Sequence, residues 1–191
     1  MSTQPQQTNN DFRTDALKEA TARLAQNNGE DNKECHDSLD SAEIDPIDNF
    51  DDMSLKDELL RGIYAFGYEK PSVIQQKAIP AVALKRDIIA QAQSGTGKTA
   101  TFSIGMLQNI DANLPETQAI ILAHTRELAT QINTVVRGLS QYMNITVNQT
   151  IGGTSIKDNI SELVKNPHVV IGTPGRVLDM ITKKALNTRF L

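Results

Sequence analysis

The spacing of apolar positions changes character near residue 50. Before it large apolar side chains are sparse, and the one helical pattern, Leu17, Ala20 and Leu24 in TDALKEATARLAQ, gives a face too thin to dock firmly. In MSLKDELLRGIYAFG, by contrast, Leu55, Leu59, Leu60 and Ile63 share one helical face, with Ser54 as the expected N-cap and Gly67 just past the end. PSVIQQKAIPAVAL predicts a second helix, opening at Ser72 and kinked or stopped at Pro80. Four apolar runs then read as strands: 87–92 (DIIAQA), 118–123 (QAIILA), 145–151 (ITVNQTI) and 168–172 (HVVIG). Helical patterns follow them near 97–110, 126–141, 155–165 and 174–184. Such alternation predicts an α/β fold, a mostly parallel sheet with helices on both faces and ligands at the carboxyl ends of its strands.

Composition divides the chain at the same place. Residues 1–50 hold 4 Lys+Arg against 11 Asp+Glu, net −7, and residues 51–191 hold 15 against 12, net +3. Residues 1–46 are therefore expected to be a flexible acidic leader, too poor in apolar side chains to offset the entropy of ordering, and 47–191 one domain. The mildly basic remainder is compatible with a polyanionic partner. No run of eighteen apolar residues and no basic-then-apolar N-terminus occur, so no membrane partner is expected and the protein is expected to be soluble and intracellular. The single cysteine, Cys35, has no partner for a disulfide or metal site.

The densest chemistry lies in DIIAQAQSGTGKTATF, residues 87–102. An apolar run, then Ala92-Gln93-Ser94-Gly95-Thr96-Gly97-Lys98-Thr99, then a helix, is the context of a phosphate-binding loop. Glycines let backbone N–H groups turn toward phosphate oxygens, and the helix presents its positive end. Lys98 is placed to reach the β and γ phosphates and the Thr99 hydroxyl to ligate Mg²⁺, although alanine stands where the motif usually begins with glycine. Upstream, Ser72 and Gln75 have the spacing of a capping box. Downstream, Thr125-Arg126-Glu127-Leu128-Ala129, Gly152-Gly153 and Thr173-Pro174-Gly175-Arg176 each follow an expected strand at or near a helix start. Thr173 reads as a cap and Pro174 as the first helical residue. Helix N-termini, glycine N–H groups and the Arg126 and Arg176 guanidiniums together form a row of phosphate binders that carries no sequence information.

In this order the motifs resemble the DEAD-box family of ATP-dependent RNA helicases, over about residues 47–191. Gly67-Tyr68-Glu69-Lys70-Pro71-Ser72-Val73-Ile74-Gln75 resembles its Q motif, with Phe50 at the isolated upstream aromatic. The resemblance implies a P-loop NTPase fold with a RecA-like sheet, and ATP and Mg²⁺ as cofactors. Gln75 then reads the adenine edge, for which an amide offers donor and acceptor together, while Phe50 and Tyr68 hold the ring. Residues 92–99 are the family's P-loop, with Ala92 a family trait, and Lys98 and Thr99 carry the catalytic roles. Thr125, Arg126 and Glu127, Gly152 and Gly153, and Thr173, Pro174, Gly175 and Arg176 are implied to grip the RNA backbone with little sequence preference. The stretches FDDMSLKDELLRGIYAFGYEKPSVIQQKAI and DIIAQAQSGTGKTATFSI are most similar to the branch that holds the translation-initiation helicase and its exon-junction relative, and Phe50-Asp51-Asp52-Met53 leans toward translation initiation, with the exon-junction relative as the alternative. The translation role implies a cytoplasmic protein, unwinding of structure at the mRNA 5′ end, and proteins of the cap-binding complex as partners.

Two departures qualify the resemblance. The family's Asp-Glu-Ala-Asp and Ser-Ala-Thr motifs and its arginine finger do not occur in residues 1–191, so the sheet is expected to be truncated before the acidic-motif strand. An arginine finger alone is typically worth ~10³–10⁵ in rate, so these residues are expected to bind ATP and RNA weakly without turnover. A natural short form acting as a non-catalytic RNA- or partner-binding module is the other reading, and a P-loop NTPase of another class would lack the ordered motifs. Unpaired sheet surface should also make the chain marginally stable and prone to associate, which a cooperative melting transition with a nucleotide-dependent midpoint would contradict. Secondly, His124 stands where the family has proline. Restoring the ring with His124→Pro should stiffen the strand exit and tighten RNA binding; equal affinities in a titration with single-stranded RNA would refute that.

Overall fold

The central strand of the sheet is its most buried segment, and the other elements are arranged about it. The structure, a computed structural model, describes residues 45–191; the leader up to residue 44, the weak helical pattern at 14–26 and Cys35 lie outside the described residues. In chain order the elements are α1 (Asp57–Ala65), α2 (Val73–Ala83), α3 (Lys98–Asn109), β1 (Ala119–Leu122), α4 (Arg126–Leu139), β2 (Val147–Thr150), α5 (Ile156–Leu163), β3 (Val169–Gly172) and α6 (Pro174–Thr182). A 3₁₀ turn, Asp51–Met53, precedes them. The sheet runs β1-β3-β2 with both pairings parallel. Successive side chains of a strand point to opposite faces, and β3 shows it. Val169 and Ile171 join a core with Leu59, Ile104, Val136 and Leu139, while Val170 joins a second with Leu163, Val177 and Met180. Helices therefore cover both faces, α1 to α4 on one and α5 and α6 on the other, which is the α/β arrangement that the periodicity predicts.

Three local expectations are corrected. The run 87–92 is not a strand; Ile89 is fully exposed, and a cavity of about 680 Å³ lined by Ile88, Ala90, Phe102, Ile120 and Leu122 separates it from the open edge of β1. Apolar, β-prone side chains do not make a strand where no neighbour takes up the backbone donors and acceptors. Ser54 does not cap α1: it adopts left-handed φ/ψ at the end of the 3₁₀ turn, and α1 begins three residues later. There the Lys56 N–H donates to Gln108 Oε1 at 2.8 Å and its ammonium to the Ile110 carbonyl at 2.5 Å, so long-range bonds fix the start.

Pro80, thirdly, does not stop α2, which continues to Ala83. Its missing N–H would have bonded the Gln76 carbonyl, and that carbonyl instead accepts from the Ile47 N–H at 3.2 Å. Beyond α1 the chain reverses at Gly67, φ +97°, with the Gly67 N–H on the Tyr64 carbonyl and the Tyr68 N–H on the Ile63 carbonyl.

At Gly62 α1 packs directly against the backbone at the end of α4. A Cβ on Gly62 would lie 1.9 Å from the Leu139 carbonyl oxygen, a backbone atom that cannot rotate away. Gly62→Ala should thus destabilise the fold by about 1–3 kcal/mol despite alanine's better helix propensity, read as a lower urea midpoint; an unchanged or raised midpoint would contradict this packing.

Candidate nucleotide and nucleic-acid site

The start of α2 and the glycine loop before α3 are joined by side chains. The Ser72 hydroxyl donates to the Thr96 carbonyl at 2.9 Å, while Gln75 accepts the Ser72 N–H on Oε1 at 2.8 Å and donates Nε2 to the Gly97 carbonyl at 3.4 Å. Gln75 is only 3% exposed, so both ends of its amide are used where an unpaired polar group would be costly. The capping-box spacing of Ser72 and Gln75 thus ties a helix start to the loop as well as to itself.

Gly95 and Gly97 take φ of +83° and +91°, a region that suits glycine. Gly97 is also confined by contact, because a Cβ there would meet Gln75 Nε2 at 2.7 Å. Around this turn the loop closes on its own lysine: the Lys98 ammonium donates to the Ala92 carbonyl at 2.5 Å and to the Gln93 carbonyl at 2.6 Å, and the Thr96 hydroxyl also donates to Gln93 at 2.8 Å. Ser94 and Gly95 are exposed. The N–H groups of Gly97, Lys98 and Thr99, at the opening of α3, donate no hydrogen bond among the described residues. Open N–H groups at a helix start, with a lysine folded among them, are a cradle for an anion.

The aromatic residues are arranged differently from the expectation. Phe50 is fully buried in the core, edge-on to Tyr64 at 6.4 Å, and offers no face to a ligand. Tyr68 is half-buried and stacks on Phe66 at 5.4 Å, and burial raises its phenol above the usual range. Of the three residues expected around an adenine, Gln75 adjoins the glycine loop, its amide already bonded, and Phe50 is a core residue.

The other three clusters meet at one end of the sheet. Parallel pairing sets Leu122, Gly172 and Thr150 at one level, and the loops and first helical turns that follow these strands carry Thr125 to Glu127, Gly152-Gly153 and Thr173 to Arg176. Thr125 caps α4 by accepting the Leu128 N–H on its hydroxyl at 3.1 Å. Thr173 makes no such bond to its own helix; its hydroxyl accepts the Gly152 N–H at 3.3 Å, fastening one cluster to the next. Pro174 opens α6 as expected, and Gly175 is exposed.

The two arginines have different surroundings. Arg126 lies against the glycine pair, where a Cβ on Gly153 would come within 2.5 Å of its Nη1, and its guanidinium makes no hydrogen bond among the described residues. Arg176 is engaged: Nη1 donates to Asn159 Oδ1 at 2.5 Å and to the Thr154 hydroxyl at 3.3 Å, and Nη2 to the Thr154 carbonyl at 3.0 Å. Sequence reasoning missed Thr154 and Asn159. The signal was there: Asn159 falls between Ile156 and Leu163 on the apolar stripe of α5, where an amide needs a partner. His124 is exposed beside Thr125.

The chain is 56% identical over 153 residues to eukaryotic initiation factor 4A of Drosophila melanogaster, covering 80% of this chain and 38% of the relative. It is 60% identical over 142 residues to the ATP-dependent RNA helicase eIF4A of Schizosaccharomyces pombe, 74% and 36% of the two chains, and 55% identical over 149 residues to that organism's ATP-dependent RNA helicase fal1, 78% and 38%. It thus spans less than two-fifths of the length of these relatives. Among solved structures, a DEAD box protein from the hyperthermophile Methanococcus jannaschii superposes with a TM-score of 0.73 at 38% identity, over 77% of this chain and 40% of that one. Dbp5 of Saccharomyces cerevisiae, bound to RNA and ADP BeF3, gives 0.68 at 39% identity, over 75% and 36%. The sequence profile of the DEAD/DEAH box helicases matches residues 72–191, from the serine that opens α2 through the glycine loop and all three strand-end clusters, and the chain belongs to that family.

Proposed function

We propose that this chain is the ATP- and RNA-gripping part of an ATP-dependent RNA helicase acting in translation initiation. By itself it binds both ligands weakly and does not turn ATP over. The observation that carries the reading is the convergence of three loop clusters on one end of a parallel sheet, in a chain whose glycine loop is held open-ended by Ser72 and Gln75. The relatives named initiation factor 4A support the translation role, which brings with it a cytoplasmic site of action and proteins of the cap-binding complex as partners. Among the described residues no helix is long and apolar enough to cross a membrane.

The residues fit a magnesium-bound triphosphate. Gly97, Lys98 and Thr99 offer N–H groups without acceptors, and Lys98 supplies a cation that can exchange its two carbonyls for phosphate oxygens. Thr99 supplies a hydroxyl at the helix start, and Mg²⁺ bound to phosphates needs only one or two protein ligands. When bound, the metal would offset phosphate charge. Among the described residues Thr99, at the opening of α3, is the side chain placed to help hold it. Gln93, Ser94, Gly95 and Thr96 shape the turn, and Gln75, with one bond at each end of its amide, keeps a second N–H and a second Oε1 lone pair for an adenine edge. Tyr68 remains as the half-exposed ring, whereas Phe50 acts through the core.

For RNA, Arg126 carries the free guanidinium, Gly153 the exposed turn, and Thr125 and Thr173 mark helix starts beside them. Glu127 in the first turn of α4 is exposed; it opposes phosphate and favours the 2′-hydroxyl as its RNA contact. Contacts of this type grip the backbone and leave bases unread.

Two substitutions separate the ligands. Lys98→Ala should lower the affinity for a non-hydrolysable ATP analogue at least about tenfold and leave single-stranded RNA binding unchanged. Arg126→Ala should do the reverse, and should reduce the slope of log affinity on log salt by about one. RNA binding insensitive to salt, or strongly different for poly(A) and poly(U), would refute the backbone grip; analogue binding indifferent to Lys98→Ala would refute the cradle.

A further inference from the structure

The resemblance assigns Arg176 to phosphate, yet its guanidinium is the more occupied of the pair. Three of its contacts go to two residues of the protein, Asn159 on α5 and Thr154 just after the glycine pair. Asn159 is 7% exposed, and its Oδ1 also accepts weakly from the Thr154 hydroxyl at 3.3 Å, a hydroxyl that bonds the Ile151 carbonyl more closely at 2.9 Å. The loop 151–155 is thus held at both ends by α6: Thr173 takes the Gly152 N–H, and Arg176 takes Thr154 with Asn159 as its backstop.

We propose that Asn159 is a positioning residue for the nucleic-acid grip, acting through Arg176 to latch the Gly152-Gly153 loop in the conformation that meets the phosphate backbone. This rests on the RNA reading above. An amide suits the position because it accepts from the guanidinium without cancelling its charge, so Arg176 orders the loop by its hydrogen bonds and still adds to the positive field. Arg126, free of such bonds and lying against Gly153, is the guanidinium that touches phosphate.

Asn159→Leu keeps the size and removes the acceptor; Asn159→Asp keeps the acceptor. Three readouts are taken on the whole chain: hydrogen–deuterium exchange of residues 151–155, affinity for single-stranded RNA, and affinity for a non-hydrolysable ATP analogue. The latch predicts that Asn159→Leu speeds exchange in 151–155 and lowers RNA affinity about tenfold with analogue binding unchanged, and that Asn159→Asp restores parental exchange. The proposal is overturned if Asn159→Leu leaves loop exchange and RNA affinity at parental values, or if Asn159→Asp loosens the loop as much as Asn159→Leu does. Loss of analogue binding alongside RNA binding in Asn159→Leu would mark general damage to the fold and overturn it too. A parental chain that binds no RNA would refute the RNA reading instead, while the exchange data still decide the latch.

Discussion

The parallel register of β1 and β2 on β3 is the constraint on which the rest of the molecule depends. It sets Leu122, Thr150 and Gly172 at one height, and Gly172 is a close-contact point in it, since a Cβ there would lie 2.2 Å from the Thr150 carbonyl oxygen. Two further bonds carry the alignment past the strands: the Ala123 N–H reaches the Gly172 carbonyl at 2.9 Å, and the Thr173 N–H reaches the Thr150 carbonyl at 3.2 Å. Segments so aligned touch one another directly, through the Thr173 hydroxyl on the Gly152 N–H and the Arg176 guanidinium on Thr154. A one-residue slip of either outer strand would turn its side chains to the opposite face and separate the clusters.

The nucleotide end is organised on a different principle. No strand pairing holds residues 87–92, so the glycine loop takes its position from α3, which follows it, and from the Ser72 and Gln75 side chains of α2. Polar groups that would be costly to bury unpaired, above all the Gln75 amide, thereby perform the alignment that backbone ladders perform at the other end. The two ends share α3 and α4, which pack on the same face of the sheet.

Much of this was legible in the residues. Apolar spacing and end signals located all six helices to within a few residues, because the faces they bury and the residues that open and close them are written locally. Strand content was less secure for the same reason: a strand needs a neighbour, and DIIAQA specifies its own side chains but not a partner, whereas HVVIG, with the same apolar density, is central and fully buried. Caps divided in the same way. Thr125 caps its own helix, but Ser54 and Thr173, identical in type to good caps, were diverted by contacts more than ten residues distant or by a turn, which no local rule contains. Of the candidate site, the glycine loop and the strand-end clusters could be read from motif order, and the need of Asn159 for a partner from its place on an apolar stripe, while the burial of Phe50 and the choice of Arg176 as that partner could not, since each depends on what another element brings alongside.

The folded-in lysine of the glycine loop has a kinetic meaning. Its ammonium already has two carbonyl partners, at Ala92 and Gln93, so an arriving anion does not fill an empty site but competes in an exchange reaction. The intrinsic affinity of the opened loop is then discounted by the fraction of time the lysine spends away from its carbonyls. Under that scheme association at high ligand concentration would be governed by an internal rearrangement rather than by diffusion, and every anion's affinity would be lowered by the same factor.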